Sequence, residues 1–166
     1  MKTTTEQYTE FILSLRDTVF RLALSITGSQ VEAEDITQDI YEKVWRARDK
    51  VLQSAYPRAY VCRMARNLAI DRVRLRRTTT EIADSIVEDG NSRADVTNLA
   101  EYSRQIIARL PEKQQVAVHM RDVEGYEIDE IAEVLECYSA SVRTNLSRAR
   151  KSIREQLLKV ISYGTE

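Results

Sequence analysis

Between Gly125 and Leu157 the chain reads GYEIDEIAEVLECYSASVRTNLSRARKSIREQL, two helical patterns parted by Glu136-Cys137-Tyr138. A break of three residues between apolar-periodic segments forces two short helices to cross rather than continue as one. The second segment, Ser139–Arg154, carries Arg143, Arg148, Arg150, Lys151 and Arg154 and no acid. Val142, Leu146, Ala149 and Ile153 line one side of it, while Arg143, Thr144, Ser147 and Arg148 share the other. Ser139 stands where an N-cap is expected, leaving the first-turn amides to face a phosphate. The preceding GYEIDEIAEVL has the length and apolar spacing of a supporting helix. The pattern predicts a helix-turn-helix whose second helix enters a DNA major groove, with arginine gripping guanine and Ser or Thr reaching base edges or phosphates. A solvated basic helix face is the plainer reading.

The rest of the chain is expected to be helical too. Four glycines and two prolines in 166 residues leave long uninterrupted stretches. From Tyr8, the positions Phe11, Ile12, Leu15, Val19, Leu22, Ala23 and Ile26 step by three and four, predicting one helix with a buried face. Gly28 suits its left-handed cap, and Ser29-Gln30-Val31-Glu32 reads as a capping box. The following helix, AEDITQDIYEKVWRA, turns Ile36, Ile40, Val44 and Trp45 inward. A polar loop, ARDKVLQSAYP, precedes a third helix from Pro57 to Arg77, which buries Tyr60, Val61, Met64, Leu68 and Val73. Periodicity fades from Thr78 to Asn98 and returns at Leu99 with Ile106, Ile107 and Leu110. Pro111 then opens a helix carrying Val116, Ala117, Val118 and Met120. The expected fold class is all-α: two small helical bundles, residues 5–78 and 100–162, joined by a flexible acidic linker at 79–99.

A net charge of −1 and a pI near 6.0 argue against nucleic acid until the charges are placed along the chain. Arg58–Arg77 holds seven arginines against Asp71 alone, whereas Thr78–Glu101 holds six acids against Arg93. Local fields decide what docks where. Arg63, Arg66, Asn67 and Arg74 surround a helix that begins near Tyr56 and Tyr60, and bases beside aromatics suit an unstacked strand. A charged helix surface explains the block equally well. The tether constrains reach: about 24 flexible residues average roughly 25–30 Å end to end, and fully extended about 80 Å. Two DNA elements one or two turns apart lie roughly 35–70 Å from each other. A larger partner must hold the linker open for both bundles to engage.

Asp35, Gln38, Asp39 and Glu42 share one helical face, with Glu34 beside them. A metal cluster would need a Glu-x-x-His partner, and the single His119 lies far away. The face reads as solvated or as a docking surface for a basic partner. Cys62, Cys137 and His119 are three scattered ligands where zinc takes about four, so no metal and no cofactor is expected. With no apolar run of the ~18–20 residues that span a bilayer, no membrane insertion is expected. The opening MKTTTEQYTEF lacks an apolar leader core, and the cytoplasm is the expected compartment.

Three stretches together, VEAEDITQDIYEKVWRA, YPRAYVCRMARNLAIDRVRLRR and LPEKQQVAVHMRDVEGYEIDEIAEVLECYSASVRTNLSRARKSIREQL, resemble the extracytoplasmic-function (ECF) group of bacterial sigma factors in order and spacing. The resemblance implies a region 2 domain, a linker and a region 4 domain, working with core RNA polymerase through the β′ clamp helices and the β flap. It implies that Asp35, Gln38, Asp39 and Glu42 dock on the clamp helices. The loop at 49–57 would capture a flipped −10 base supported by Asn67, and Tyr56, Arg58, Arg63 and Arg66 would hold the melted strand. Base flipping costs a few kcal/mol, which those contacts would offset. Ser139, Ser141, Arg143, Thr144, Ser147, Arg148 and Lys151 match positions facing the −35 duplex. The linker resembles the segment that threads toward the RNA exit path, and an anti-sigma factor is a further implied partner. Glu136 stands where the family usually has Gly, and Glu127 where Ser or Thr is common. The resemblance implies a promoter-specificity subunit, not an enzyme. Its rivals are a self-sufficient helix-turn-helix regulator with a sensor or dimerisation bundle and, more distantly, a nucleic-acid enzyme.

Overall fold

Every described element is helical. The computed structural model describes residues 1, 3–82 and 99–163, and the expected linker falls, from 83 to 98, outside them. The N-terminal group comprises α1 (Thr4–Ser14), α2 (Arg16–Thr27), α3 (Gln30–Arg46), α4 (Arg48–Gln53) and α5 (Pro57–Ile82). The C-terminal group comprises α6 (Leu99–Ala108), α7 (Glu112–Val118), a π-helical turn (His119–Val123), α8 (Ile128–Leu135) and α9 (Ser139–Tyr163).

The single helix expected from Tyr8 to Ile26 is two. Thr3 and Glu6 form a capping box that starts α1. At Leu15 the backbone N–H reaches back to Ile12 O at 3.0 Å, a tightened turn that kinks the path into α2. Both halves still point inward: Tyr8, Ile12, Leu15, Val19 and Leu22 are buried, and the Tyr8 hydroxyl donates to Val44 O at 2.6 Å. Gly28 takes the expected left-handed cap, φ 66°. Ser29 caps α3 by accepting from Glu32 N, but the Glu32 carboxylate turns to Arg76, 3.4 Å away, and the box stays half-formed.

Four further expectations need correction. The polar loop at 47–57 contains α4, because Val51 is fully buried and pulls its turn onto α5. Trp45 is 47% exposed, its ring tilted at 41° to that of Tyr8 with centroids 5.7 Å apart, since Val44 takes the core position beside it. On α5 the residues that pack deepest are Ala59, Val61, Cys62, Ala65 and Ala69, while Tyr60, Met64, Leu68 and Val73 are half-buried. Small residues there let α2 and α5 approach closely. The helix also runs past Arg77, with Thr78 and Thr79 hydroxyls donating to Arg74 O and Leu75 O.

In the C-terminal group Val116, Met120, Ile131, Leu135, Val142, Leu146 and Ala149 form the core. Removing apolar area of this kind from water is worth roughly 1.5–3 kcal/mol for a fully buried Leu or Ile. The π turn, closed by Glu124 N–H to His119 O at 3.0 Å, ends α7 and aims Glu124 at the other group. The two groups pack against each other through α2 with α7 and α5 with α8.

Candidate nucleic-acid interface

The C-terminal motif forms where the sequence breaks. α8 ends at Leu135, Glu136 takes a left-handed conformation (φ 53°, ψ 47°), and α9 starts at Ser139. A non-glycine residue there costs about 1–2 kcal/mol. The turn is closed by Cys137 N–H to Ala132 O at 3.1 Å. The apolar side of α9 is set by Val142, Leu146 and Ala149, all buried against α8 and α7. That anchorage leaves Arg143, Thr144, Ser147, Arg148 and Lys151 exposed on the outer side. Ser141 is half-buried, accepting through its carbonyl from Asn145 at 2.9 Å. Ser139 does not cap the helix: it lies inside the first turn, and its hydroxyl donates to the Asp129 carboxylate at 2.6 Å. Glu127 serves at the start of α8, its N–H donating to Glu130 Oε1 at 3.3 Å.

Beside this face lies a hollow of about 500 Å³ lined by Arg121, Arg143, Ser147, Arg150, Lys151 and Arg154 among others. Arg121 comes from the π turn, steadied by Tyr126 O at 2.8 Å, and Arg150 is bidentate on Asp122. Arg154, one of the five bases noted on this helix, continues the stripe 143, 147, 150/151. Arg121 extends the basic surface beyond the positions expected from the sequence, because it belongs to another element and carries no such signal.

The basic face of α5 is differently placed. Arg58 is bidentate on Glu130, at 2.5 and 2.6 Å, with its guanidinium 4.0 Å from the centre of the Tyr126 ring. Arg66 is bidentate on Glu112, at 2.5 and 2.9 Å, and buried. Arg63 donates to Glu133 at 3.0 Å and stacks over Tyr60 at 4.7 Å. All three acids belong to the C-terminal group. Two bidentate arginine forks are strong, directional contacts. The bond from Arg58 holds the Glu130 carboxyl below its usual range. Burial pushes the Cys62 thiol up to about 12; it lies 3.6 Å from the Tyr126 hydroxyl, whose own pKa burial also raises. Asn67 and Tyr56 stay exposed at the rim. A second tie joins Arg21 to Glu124 at 2.7 Å, with Thr18 donating to the same carboxylate, and Gln115 donates to Ser25 O.

On α3, Asp35, Gln38 and Glu42 are exposed and Asp39 is half-buried, in one row as expected. Arg72 of α5 bridges Asp35 and Asp39 at 2.6 and 2.7 Å, so two carboxylates of the row already have a cation. An apolar groove lined by Ile12, Leu13, Tyr41 and Trp45 runs beside Glu42. The sequence pattern, which turned Trp45 inward, missed it. Among the described residues no group of His, Cys, Asp and Glu could hold a metal ion, and no helix is long and apolar enough to cross a membrane.

Known proteins converge on one family. Residues 11–79 match the family Sigma-70 region 2, and residues 101–153 match Sigma-70, region 4. The chain is similar to the ECF RNA polymerase sigma factor SigW of Bacillus subtilis (strain 168), 26% identical over 92% of this chain and 89% of the relative. It is 28% identical to the ECF RNA polymerase sigma factor SigE of Mycolicibacterium smegmatis, over 90% of this chain and 61% of that protein. Among solved structures, it resembles the sigma factor RpoE co-crystallised with the anti-sigma factor NepR from Bartonella quintana. The TM-score is 0.74 at 21% identity, covering 93% of this chain and 98% of that one, a likeness that bears on the fold.

Proposed function

Because the chain belongs to the ECF RNA polymerase sigma factors, transcription initiation factors without catalysis of their own, we propose that it directs core polymerase to a two-part promoter. The carrying observation is the α9 face: Arg143, Thr144, Ser147, Arg148 and Lys151 are exposed together on a helix whose opposite side is locked into a core. A helix so presented fits the major groove of a −35 duplex, with Ser139 and Ser141 near its start. Arg121, Arg150 and Arg154 then flank the groove as phosphate contacts, which add affinity and little sequence preference.

Residues 5–78 form the unit that binds core enzyme and the −10 element, 79–99 the connecting acidic segment, and 100–162 the −35 unit and the face toward the β flap. The α3 row of Asp35, Gln38, Asp39 and Glu42 meets the β′ clamp helices, which must compete with Arg72 for Asp35 and Asp39. The apolar groove with Trp45 and Leu13 adds burial beside that row. The segment from α4 to the start of α5 receives a flipped −10 base, with Tyr56 and Asn67 at the rim and Arg58, Arg63 and Arg66 along the strand. Residence is cytoplasmic, and an anti-sigma factor is a partner by analogy with the co-crystallised relative.

Run-off transcription with purified bacterial core polymerase tests the reading. Initiation from a specific promoter that depends on the chain is the expected result. Repression of a gene by the chain alone, with no initiation by any core enzyme, would mark it instead as a self-sufficient regulator.

A further inference from the structure

Two carboxylates of the α3 row carry a cation supplied by the chain itself. Arg72 donates through Nη1 to Asp35 Oδ2 at 2.6 Å and through Nη2 to Asp39 Oδ2 at 2.7 Å. Like charges four residues apart on a helix repel, so a guanidinium set between them stabilises the row as it stands in the free chain. Gln38 and Glu42, on the same face, are exposed and, among the described residues, meet no partner. The bridge is not what holds α3 in place. Ala33, Ile36, Ile40 and Val44 bury its inner face in the core, with α2 and α5 as neighbours. One turn beyond Arg72, Arg76 ties the start of α3 separately, to Glu32 at 3.4 Å and Thr27 O at 2.8 Å.

We propose that Arg72 is a built-in competitor for the docking row, holding the affinity of the chain for core polymerase below what Asp35 and Asp39 alone would give. The proposal rests on reading α3 as the core-docking face. A partner arginine that grips a carboxylate in a bidentate fork takes both of its oxygens, and Arg72 already takes Oδ2 of each. A partner cation brought up beside Arg72 also meets a like charge. Docking therefore exchanges one cation for another. Gln38 and Glu42 are open from the start, whereas Asp35 and Asp39 become available only as Arg72 lets go.

Exposure sets the size of the effect. Arg72, Asp35 and Asp39 keep 28%, 54% and 41% of their side-chain surface in water. Each pair is thus a surface ion pair of modest strength, and it weakens as salt shortens the Debye length. Two such pairs correspond to about fivefold in a binding constant at low salt. An opposition of that size lowers occupancy of the core enzyme without preventing it.

The test measures binding of the full, fluorescently labelled chain to purified bacterial core polymerase, without DNA and at low salt. Arg72→Gln is expected to bind core about fivefold more tightly than the parent. Arg72→Lys, which keeps the charge but loses the two-armed fork, should gain about twofold. Arg77→Gln, which removes a charge from an exposed position of the same helix, should stay close to the parent. In an Asp35→Asn/Asp39→Asn background the gain from Arg72→Gln should vanish, and in the parent background raised salt should shrink it. Weaker or unchanged binding by a folded Arg72→Gln, an equal gain in Arg77→Gln, or a gain that survives without the two carboxylates would each overturn the proposal. Circular dichroism and melting temperature show whether Arg72→Gln is folded; if it is not, Arg72→Lys carries the test, and binding no tighter than the parent's overturns the proposal. Asp35→Asn/Asp39→Asn alone separates this from the underlying reading. If that pair leaves core affinity unchanged, the docking row fails as well; if it weakens binding while Arg72→Gln brings no gain, only the competition fails.

Discussion

The basic faces of α5 and α9 look alike as strings of residues and differ as surfaces. Each is an arginine-rich helix with an apolar back. On α9 the arginines at 143 and 148 face water, whereas on α5 those at 58, 63 and 66 are held by three glutamates from the other bundle. Charge excess along a helix therefore tells what it can bind, and only the tertiary arrangement tells whether the site is open. The acids responsible sit in the same C-terminal unit as the open face, so one bundle both presents the basic face of α9 and covers that of α5.

The comparison can be broken most severely in the core. Ile131 is fully buried in α8, between the turn that aims α9 and the glutamates that cover α5. Ile131→Ala is expected to cost about 2–5 kcal/mol, read by chemical denaturation, and to weaken both functions together; loss of one alone would show that α8 does not couple them. Next in size, Arg143→Ala and Arg148→Ala should each weaken −35 duplex binding by about 1–3 kcal/mol. Arg58→Ala and Arg63→Ala, measured in the same free chain, should leave duplex binding within twofold. Footprints unaltered by the α9 substitutions would remove the distinction between the two faces.

Smaller effects sharpen it. Glu136→Gly relieves a left-handed glutamate and should stabilise the chain by up to about 1 kcal/mol, seen as a higher melting temperature with unchanged duplex affinity. The smallest concerns pH. Arg58 holds the Glu130 carboxyl below its ordinary value of 4.5, so the closed form binds fewer protons there than the open one. Its stabilisation is complete above pH 4.5 and fades as pH falls through the depressed value. The Glu124 carboxyl, tied to Arg21 across the bundles, is also held below its ordinary value, so scattering at falling pH should show expansion in the parent and a smaller one in Glu130→Gln.

Much of the local structure was legible in the sequence. Glu136-Cys137-Tyr138 interrupts an apolar period, and the turn falls there; Gly28 follows the last periodic residue, and it caps α2. These signals lie within a few residues of what they determine. The kink at Leu15 left the apolar step undisturbed and so carried no sign, and α4 forms because Val51 finds a core outside its own segment. The cover on α5 joins residues 46 to 72 positions apart. The charge blocks mark the arginines of α5, but nothing near them in sequence marks Glu112, Glu130 and Glu133 as the acids that meet Arg66, Arg58 and Arg63. Only the packing of α8 on α5 selects among equally charged candidates.

The most direct test of the account is the distance between the bundles, measured by energy transfer between labels introduced at the exposed Lys50 and Lys159, in the free chain and in its complex with core polymerase on promoter DNA. The account predicts a short separation in the free chain and a long one in the complex, with strand contacts to Arg58, Arg63 and Arg66 appearing only in the latter. A separation that is the same in both, with initiation proceeding normally, would contradict it.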